Sequence, residues 1–199
     1  MNVLLILAII ILIIILWQAY VVGSTNKTEK RNFKLLEKKG GFEIRYYPEV
    51  IMATLPIKGN SYKRVASAGF KRLANYIFGG NKTQKNISMT SPVEIRMGKA
   101  VSEMSFTMPS CFSMDSLPQP NDASIKIHNA PAEYVAVLCF GGYASTHKIY
   151  HYINELKKLV DERGLRHTNN FKFLGYNPPY QFIARHNEIA MIIQYEELK

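Results

Sequence analysis

Residues 3–22 form an apolar run without a charged side chain, in which Gln18 is the one strongly polar residue. At about 1.5 Å per residue in a helix, this run matches the roughly 30 Å of hydrocarbon in a bilayer. Trp17 and Tyr20 lie where an interfacial aromatic belt is expected. The pattern predicts a single-pass transmembrane anchor over residues 1–23. The alternative is a signal segment, cleaved or uncleaved.

After this run, short segments rich in apolar, β-branched and aromatic residues predict strands in two groups. The polar residues 24–32 predict a structureless tether before the first group. The first group comprises residues 33–36, 42–47, 50–57, 93–97 and 103–108. The second comprises residues 124–128, 134–140, 171–176 and 188–195. Apolar residues at i, i+3 and i+4 predict one long helix within each group, over residues 62–78 and 146–163.

An internal repeat relates the two groups. A shift of 83 residues aligns residues 44–59 with 127–142, and five of the sixteen positions are identical. The same shift superposes the two predicted helices. The sequence therefore predicts an α+β fold, in which two pseudo-symmetric βαββ units form one barrel-like domain after the transmembrane helix.

The net charge of +10 is concentrated in the first half of the chain. Residues 27–99 hold 16 Lys and Arg against 5 Asp and Glu, whereas residues 100–199 hold 9 and 10. The basic run 27–39 directly follows the apolar run, which favours a cytoplasmic domain by the positive-inside rule. The same run predicts contact with anionic lipid. If the N-terminal segment acts as a signal, the domain is instead periplasmic or extracytoplasmic.

The sequence carries no recognisable enzyme motif, since GxSxG, HExxH and a GxGxxG after a strand are all absent. Two cysteines without a Cys/His cluster exclude a disulfide scaffold and a structural zinc site. His147 and His151 are spaced i, i+4, but their polar neighbours favour a solvated helix face over a metal site. No nucleic-acid-binding pattern is present. We therefore expect neither catalysis, nor a bound metal, nor a nucleic-acid partner, and the oligomeric state stays open.

Several stretches together resemble the SOUL/haem-binding protein family. They are FEIRYYPEVIMAT (42–54), AGFKRLANYIFGGN (68–81), MTSPV (89–93), MSFTMPS (104–110), IKIHNAPAEYVAVLCFGGYA (125–144) and FLGYNPPYQFIARHNEIAMII (173–193). The resemblance implies a SOUL-like haem-binding domain over residues 33–199, with a distorted β-barrel made of two βαββ units and two long helices. It also implies reversible binding of haem or another tetrapyrrole in a shallow apolar pocket without an obligatory iron ligand.

The resemblance places this pocket beside residues 62–78 and the loop 176–185. The apolar slot is expected from Tyr62, Phe70, Tyr176, Pro178, Pro179 and Tyr180. The basic rim is expected from Arg64, Lys71 and Arg185. These features predict a membrane-tethered binding or carrier protein for haem. A binding module for another apolar small molecule or a protein partner is the alternative, and an unrecognised tetrapyrrole enzyme is the third hypothesis.

Overall fold

The computed structural model describes residues 3–195, and within them the chain forms three helices and eleven strands. The helices are α1 (Val3–Lys27), α2 (Tyr62–Ile77) and α3 (Thr146–Glu162). The strands are β1 (Glu29–Lys30), β2 (Lys34–Lys39), β3 (Phe42–Tyr47), β4 (Val50–Lys58), β5 (Thr90–Ser91), β6 (Val93–Arg96), β7 (Val101–Thr107), β8 (Lys126–Ala130), β9 (Glu133–Gly141), β10 (His167–Gly175) and β11 (His186–Ile193).

Nine strands form one antiparallel sheet that curls into a half-barrel. Its strand order is β2-β3-β9-β11-β10-β6-β7-β4-β8. The short strands β1 and β5 form a separate parallel pair. The predicted α+β class is confirmed, and so are the two long helices and the N-terminal apolar helix. Helix α1 is long and apolar enough to cross a membrane, a property that signal sequences share.

The main hydrophobic core lies between α2, α3 and one face of the sheet. Ala53 and Leu55 of β4 belong to the same buried cluster as Val65 and Leu73 of α2 and Leu156 of α3. The apolar stripe of each helix recurs with helical spacing, so each helix covers the sheet with one face only. The core therefore arises from the periodicity that the sequence displays.

A smaller apolar cluster lies on the opposite face of the sheet and includes Tyr47, Val135, Val137, Leu174 and Ala190. The chain between α1 and β2 lies against this face. The ring of Phe33 is 5.5 Å from the ring of Tyr47, and the Arg45 guanidinium lies 4.1 Å from the centre of the Phe33 ring. This segment therefore shields the second face, which no domain helix covers.

Residues 24–32, expected to be a structureless tether, are ordered. Their first residues continue α1, and β1 then pairs with β5. The side chain of Arg31 is buried and contacts Glu94 at 3.5 Å and Glu133 at 3.4 Å. These ion pairs join the segment to the sheet. The polar composition of this segment suggested a tether, because composition does not reveal contacts with residues about 60 to 100 positions away in the sequence.

Gly69 allows α2 to lie close to the sheet. A Cβ at this position would lie 2.5 Å from Ile57 Cδ1 and 2.9 Å from Met104 Sδ. Helix propensity favours Ala over Gly by about 1 kcal/mol, but overpacking a core costs about 1–3 kcal/mol. We therefore expect Gly69→Ala to lower the free energy of unfolding by about 1 kcal/mol, measured by urea unfolding of the full chain in detergent.

The exposed Ser67 on the same helix provides the control. Ser67→Ala gains helix propensity without a clash, so the free energy of unfolding should rise slightly. A rise in both variants would contradict close packing at Gly69.

Candidate functional site

The loop between β10 and β11 lies next to the starts of α2 and α3. The backbone N–H of Tyr62 donates to Thr146 Oγ1 at 3.2 Å, which joins the two helix starts. The Tyr143 hydroxyl donates to the carbonyl oxygen of Pro179 at 3.2 Å, which joins the segment before α3 to the loop. We call this region, made of Tyr62, Tyr143 and residues 177–185, the loop site.

Arg185 holds the loop site together. Its guanidinium donates to the carbonyl oxygens of Pro178, at 2.7 Å, and of Gln181, and it lies 4.3 Å from the centre of the Tyr143 ring. Burial raises the pKa of the Tyr62 hydroxyl, while the charge of Arg185 acts in the opposite direction. Within residues 3–195, no carboxylate forms a salt bridge with Arg185. Its guanidinium instead bonds to backbone carbonyl oxygens, that of Asn177 included.

The outer surface of the loop site is apolar. Tyr143 and Tyr180 are each 56% exposed, Phe182 is 48% exposed and Ile183 is 47% exposed. Pro179 is exposed as well. Large apolar side chains clustered on a surface mark a site of binding to a ligand, a protein or a membrane.

The predicted site residues on α2 do not form one group. Tyr62 and the exposed Arg64 both lie in the first turn of α2, and Tyr62 is the one that the charge of Arg185 reaches. Phe70 and Lys71 follow about 12 Å further along the helix. Phe70 packs edge-on against Phe106, with ring centres 5.5 Å apart, and Lys71 is exposed. Phe70 and Lys71 therefore lie outside the loop site.

Tyr176 lies on the opposite face of the sheet from Tyr62. It packs with the cluster on the sheet face opposite the helices. Its hydroxyl donates to Glu188 Oε2 at 2.8 Å, and its ring lies edge-on to His186. Burial and the charge of Glu188 raise the pKa of Tyr176. Tyr176 therefore belongs to a buried polar network, in contrast to the role expected from its place in the loop.

Arg45 and Glu188 form the centre of this network, which we call the Arg45 network. Two guanidinium nitrogens of Arg45 donate to the two carboxylate oxygens of Glu188, each at 2.9 Å. The Nε of Arg45 donates to Glu43 Oε2 at 2.7 Å, and His186 Nε2 lies 2.7 Å from Glu188 Oε1. Burial opposes both charges, but the bonds to Glu188 raise the pKa of Arg45. Hydrogen bonds from His186 and Arg45 lower the pKa of Glu188 to about 2. Sequence reasoning missed this network, whose only signal was charged residues alternating with apolar ones.

Cys139, His186 and Glu188 place three potential metal-ligand atoms within 4.8 Å of one another. The Glu188 carboxylate is already bonded to Arg45, whose positive charge opposes a cation in the same place. Burial and the nearby Glu188 raise the pKa of the Cys139 thiol to about 11, so the thiol keeps its proton at neutral pH. The donor set therefore suits a structural hydrogen-bond cluster better than a metal centre.

A second buried ionic cluster connects the chain after α1 to the sheet. It joins Arg31 and Lys172 to Glu94 and Glu133. Lys172 is buried on β10, and its Nζ bonds to Glu133. Arg31 belongs to the run 27–39 that was expected to contact anionic lipid, but its side chain is used inside the fold.

A groove of about 450 Å³ lies between β1, the start of β4 and the chain after β7. Its apolar lining includes Val50, Ile51, Met108, Phe112 and Met114. This volume falls within the range of about 300–1,000 Å³ that is typical of small-molecule sites. The groove contains none of the nine predicted site residues, so it is a separate candidate site.

Comparison with known proteins connects the fold to a family. Heme-binding protein 1 of Xenopus tropicalis is 26% identical over 178 residues, covering 85% of this chain and 93% of that protein. Heme-binding protein 2 of Homo sapiens is 26% identical over 168 residues, covering 80% and 82%. The solved C-terminal domain of EcmrR has a TM-score of 0.58 and 13% identity, covering 82% of this chain and 99% of that chain. At this identity, the structural likeness shows the fold alone.

The strongest connection is a sequence model that extends from β1 to the last strand. The model described as SOUL heme-binding protein matches residues 28–192. This range contains the sheet, both domain helices, the loop site and both buried ionic clusters. The chain therefore belongs to the SOUL heme-binding protein family.

Proposed function

We propose that this chain is a membrane-tethered protein that binds haem or a related tetrapyrrole reversibly, as a carrier rather than an enzyme. The observation that carries the proposal is the family match over residues 28–192, together with relatives that are named heme-binding proteins. We assign the ligand to the loop site.

The chemistry of the loop site fits haem, which is a flat apolar plate with two carboxylates. The exposed ring of Tyr143 and the loop prolines offer apolar surface for the plate. Arg185 and the exposed Arg64 would supply positive charge for the carboxylates through charge-assisted hydrogen bonds. When bound, haem supplies its iron and its visible absorbance, and the chain supplies the binding surface.

Titration of the full chain in detergent micelles with haem, followed by the Soret band, tests this proposal. We expect a saturable change at micromolar haem. Arg64→Glu should weaken affinity by about 10-fold or more, because a hydrogen bond to a charged group contributes about 1.5–3 kcal/mol. Lys158→Glu, which changes an exposed cation on α3 in the same way, should leave affinity unchanged. The absence of a saturable change would overturn haem binding, whereas equal affinities in the two variants would overturn the contact between Arg64 and a haem carboxylate.

Binding of another apolar small molecule is the second candidate function, and the groove of about 450 Å³ favours it. Ser113 lines this groove, so Ser113→Trp would fill part of it. Under our proposal, haem affinity survives this change. Loss of haem binding in Ser113→Trp would move the ligand to the groove. Mass spectrometry of ligands recovered from the purified chain would support the second function if it found a compound that is not a tetrapyrrole.

Histidines on α3 are not required for binding in this proposal. His147 and His151 are exposed on α3, and His151 Nε2 lies 3.8 Å from Glu155. We expect His147→Ala and His151→Ala each to leave haem affinity within a few-fold of wild type, measured by the same titration. A loss of about 100-fold, or about 2.7 kcal/mol, would instead make that histidine an iron ligand.

The absence of catalysis is part of the proposal. It is supported by the Arg45 network, where buried acidic and basic groups bond to each other and face away from the helices. Bleaching of bound haem under reducing conditions, with release of a product, would overturn this part and favour a tetrapyrrole enzyme.

The tether in this proposal is α1, which is long and apolar enough to span a bilayer. Exposed Lys27 and Lys30 follow its apolar part and favour the cytoplasmic side. Protease treatment of sealed inside-out vesicles should then digest the domain. Protection of the domain would place it on the extracytoplasmic side.

We also propose that the domain is a duplication of one βαββ unit. The 83-residue shift carries Val50–Lys58 onto Glu133–Gly141, so β4 falls on β9 with matching ends. In chain order, each of these strands is followed by a long helix and then by two further strands of the sheet, so α2 corresponds to α3, β6 to β10 and β7 to β11. β3 and β8 correspond as well. Without its edge strand β2, the sheet has the order β3-β9-β11-β10-β6-β7-β4-β8. Replacing each strand by its counterpart gives the same order in reverse, which supports a pseudo-twofold relation.

A further inference from the structure

The C-terminal part of α1 is joined to the loop site by a polar side chain within the apolar run. The Gln18 amide donates from Nε2 to the carbonyl oxygen of Tyr180 at 3.1 Å, and its Oε1 accepts from the backbone N–H of Phe182 at 3.1 Å. Gln18 is only 1% exposed. Because an unpaired amide is costly in an apolar environment, this pairing holds the loop against α1 at a fixed height.

Two further contacts strengthen this junction. Thr25 Oγ1 donates to Gln181 Oε1 at 2.9 Å, about two turns of α1 beyond Gln18. The rings of Trp17 and Tyr180 lie 6.1 Å apart. A cavity of about 270 Å³ lies between α1 and Tyr180. The loop thus contacts α1 over the stretch from Trp17 to Thr25.

These contacts fix the depth of the loop when α1 spans a bilayer. The apolar run ends at Val22, and its 20 residues are about as long as the hydrocarbon core is thick. Gln18 lies four residues, or about 6 Å, before that end. A loop that is hydrogen-bonded to Gln18 therefore reaches the boundary between hydrocarbon and headgroups.

The side chains that the loop presents at this depth suit that boundary. Tyr180, Phe182 and Ile183 are about half exposed, and Tyr20 of α1 is 74% exposed beside them. Aromatic and aliphatic side chains at the headgroup level are favourable in a bilayer and unfavourable in water. The loop surface is therefore continuous with the apolar surface of α1.

We propose that residues 180–183 insert into the headgroup boundary of the bilayer next to α1, so that the loop site opens onto lipid. This inference rests on the membrane tether of the proposed function. The surface involved differs from the basic run 27–39, and the contact is apolar. It therefore needs no anionic lipid and persists at high salt. An apolar ligand that dissolves in the bilayer would then reach the loop site without crossing water.

Brominated lipids that quench tryptophan test this placement in the full chain. Trp17 is the only tryptophan, so Trp17→Phe provides a background without tryptophan but with an aromatic ring at that position. Phe182→Trp is then introduced, and the protein is placed in phosphatidylcholine vesicles brominated near the headgroup end of the acyl chain. We expect the emission of this tryptophan to be blue-shifted relative to that of a tryptophan in water. We also expect brominated lipid to reduce its fluorescence about two-fold or more relative to unbrominated lipid, and raised salt should not reverse this loss.

Two control variants in the same background, each with a single tryptophan at another position, allow the result to be interpreted. Phe78→Trp changes a phenylalanine that is 64% exposed at the far end of α2, and it should not be quenched. Ile9→Trp places a tryptophan within α1, and lipids that are brominated deep in the acyl chain should quench it. Equal emission from positions 182 and 78 with position 9 quenched would overturn the loop insertion alone. An unquenched position 9 would overturn the tether as well, while the Soret titration reports on haem binding separately.

Recovery of the position 182 emission at high salt would also overturn apolar insertion. That outcome would favour electrostatic contact through the basic run.

Discussion

Replacing Arg45 with methionine is expected to lower the free energy of unfolding by about 3–5 kcal/mol, because it removes the buried positive charge that Glu188 and Glu43 share. The Arg45 side chain is 4% exposed and that of Glu188 is 3% exposed. After the substitution, the Glu188 carboxylate loses both guanidinium bonds, and Glu43 keeps only its contact with Lys38. Methionine fills much of the volume, so the loss is mainly electrostatic.

Arg72 provides a matched control for this prediction. It also forms a two-point contact with a carboxylate, since its nitrogens donate to Asp122 at 2.7 and 2.8 Å. However, the Arg72 side chain is 42% exposed. Arg72→Met should therefore cost about 1 kcal/mol or less. Urea unfolding in detergent, followed by near-ultraviolet circular dichroism, compares the two variants. Similar small losses in both would show that water screens the Arg45 network.

The fold was predictable where its signals are local. Short runs rich in apolar, β-branched and aromatic residues predicted β3, β4 and β9, because such residues fit the pleated, buried surface of a sheet. Helical spacing predicted α2 and α3, whose ends differ from the predicted ranges by one residue at most. The short pair β1 and β5 was not predicted, since two-residue strands carry no periodicity.

The ionic clusters were beyond sequence reasoning because their partners are remote. Arg45 and Glu188 are 143 residues apart, and they meet only because β9 lies between β3 and β11 in the sheet. The alternation in β3 correctly places Glu43 and Arg45 on the same face. That pattern ordinarily indicates a face in water, whereas here Phe33 and Arg31 help to bury it.

The candidate site was predictable in its parts but not in its grouping. The resemblance located the loop and the first domain helix, and the structure brings Tyr62, Pro179 and Arg185 together. It separates Phe70 because eight residues of helix span about 12 Å. It turns Tyr176 to the other sheet face because side chains alternate along the end of β10. The contact between Gln18 and the loop had a signal, since a lone amide in an apolar run requires a partner.

Acidification is expected to destabilise the domain through Glu188. Burial alone would raise the pKa of this carboxyl, but hydrogen bonds from His186, Arg45 and Tyr176 outweigh burial and lower the pKa to about 2. The ordinary value is near 4.5. A carboxyl whose pKa is lower in the folded state stabilises that state while it is ionised. This contribution is complete above about pH 4.5 and is lost as the pH falls to about 2.

The loss attributable to Glu188 is on the order of 3 kcal/mol, since each pKa unit corresponds to about 1.4 kcal/mol. Urea unfolding of wild type and Glu188→Gln between about pH 6 and pH 2 measures it. Glutamine cannot ionise, so the difference between the two proteins should shrink as the pH falls through this window. Asp122 and Asp161, whose pKa values are also lowered, are present in both proteins and cancel in the difference. A difference that stays constant over the whole range would contradict a stabilising charge on Glu188, and with it the ionic character of the Arg45 network.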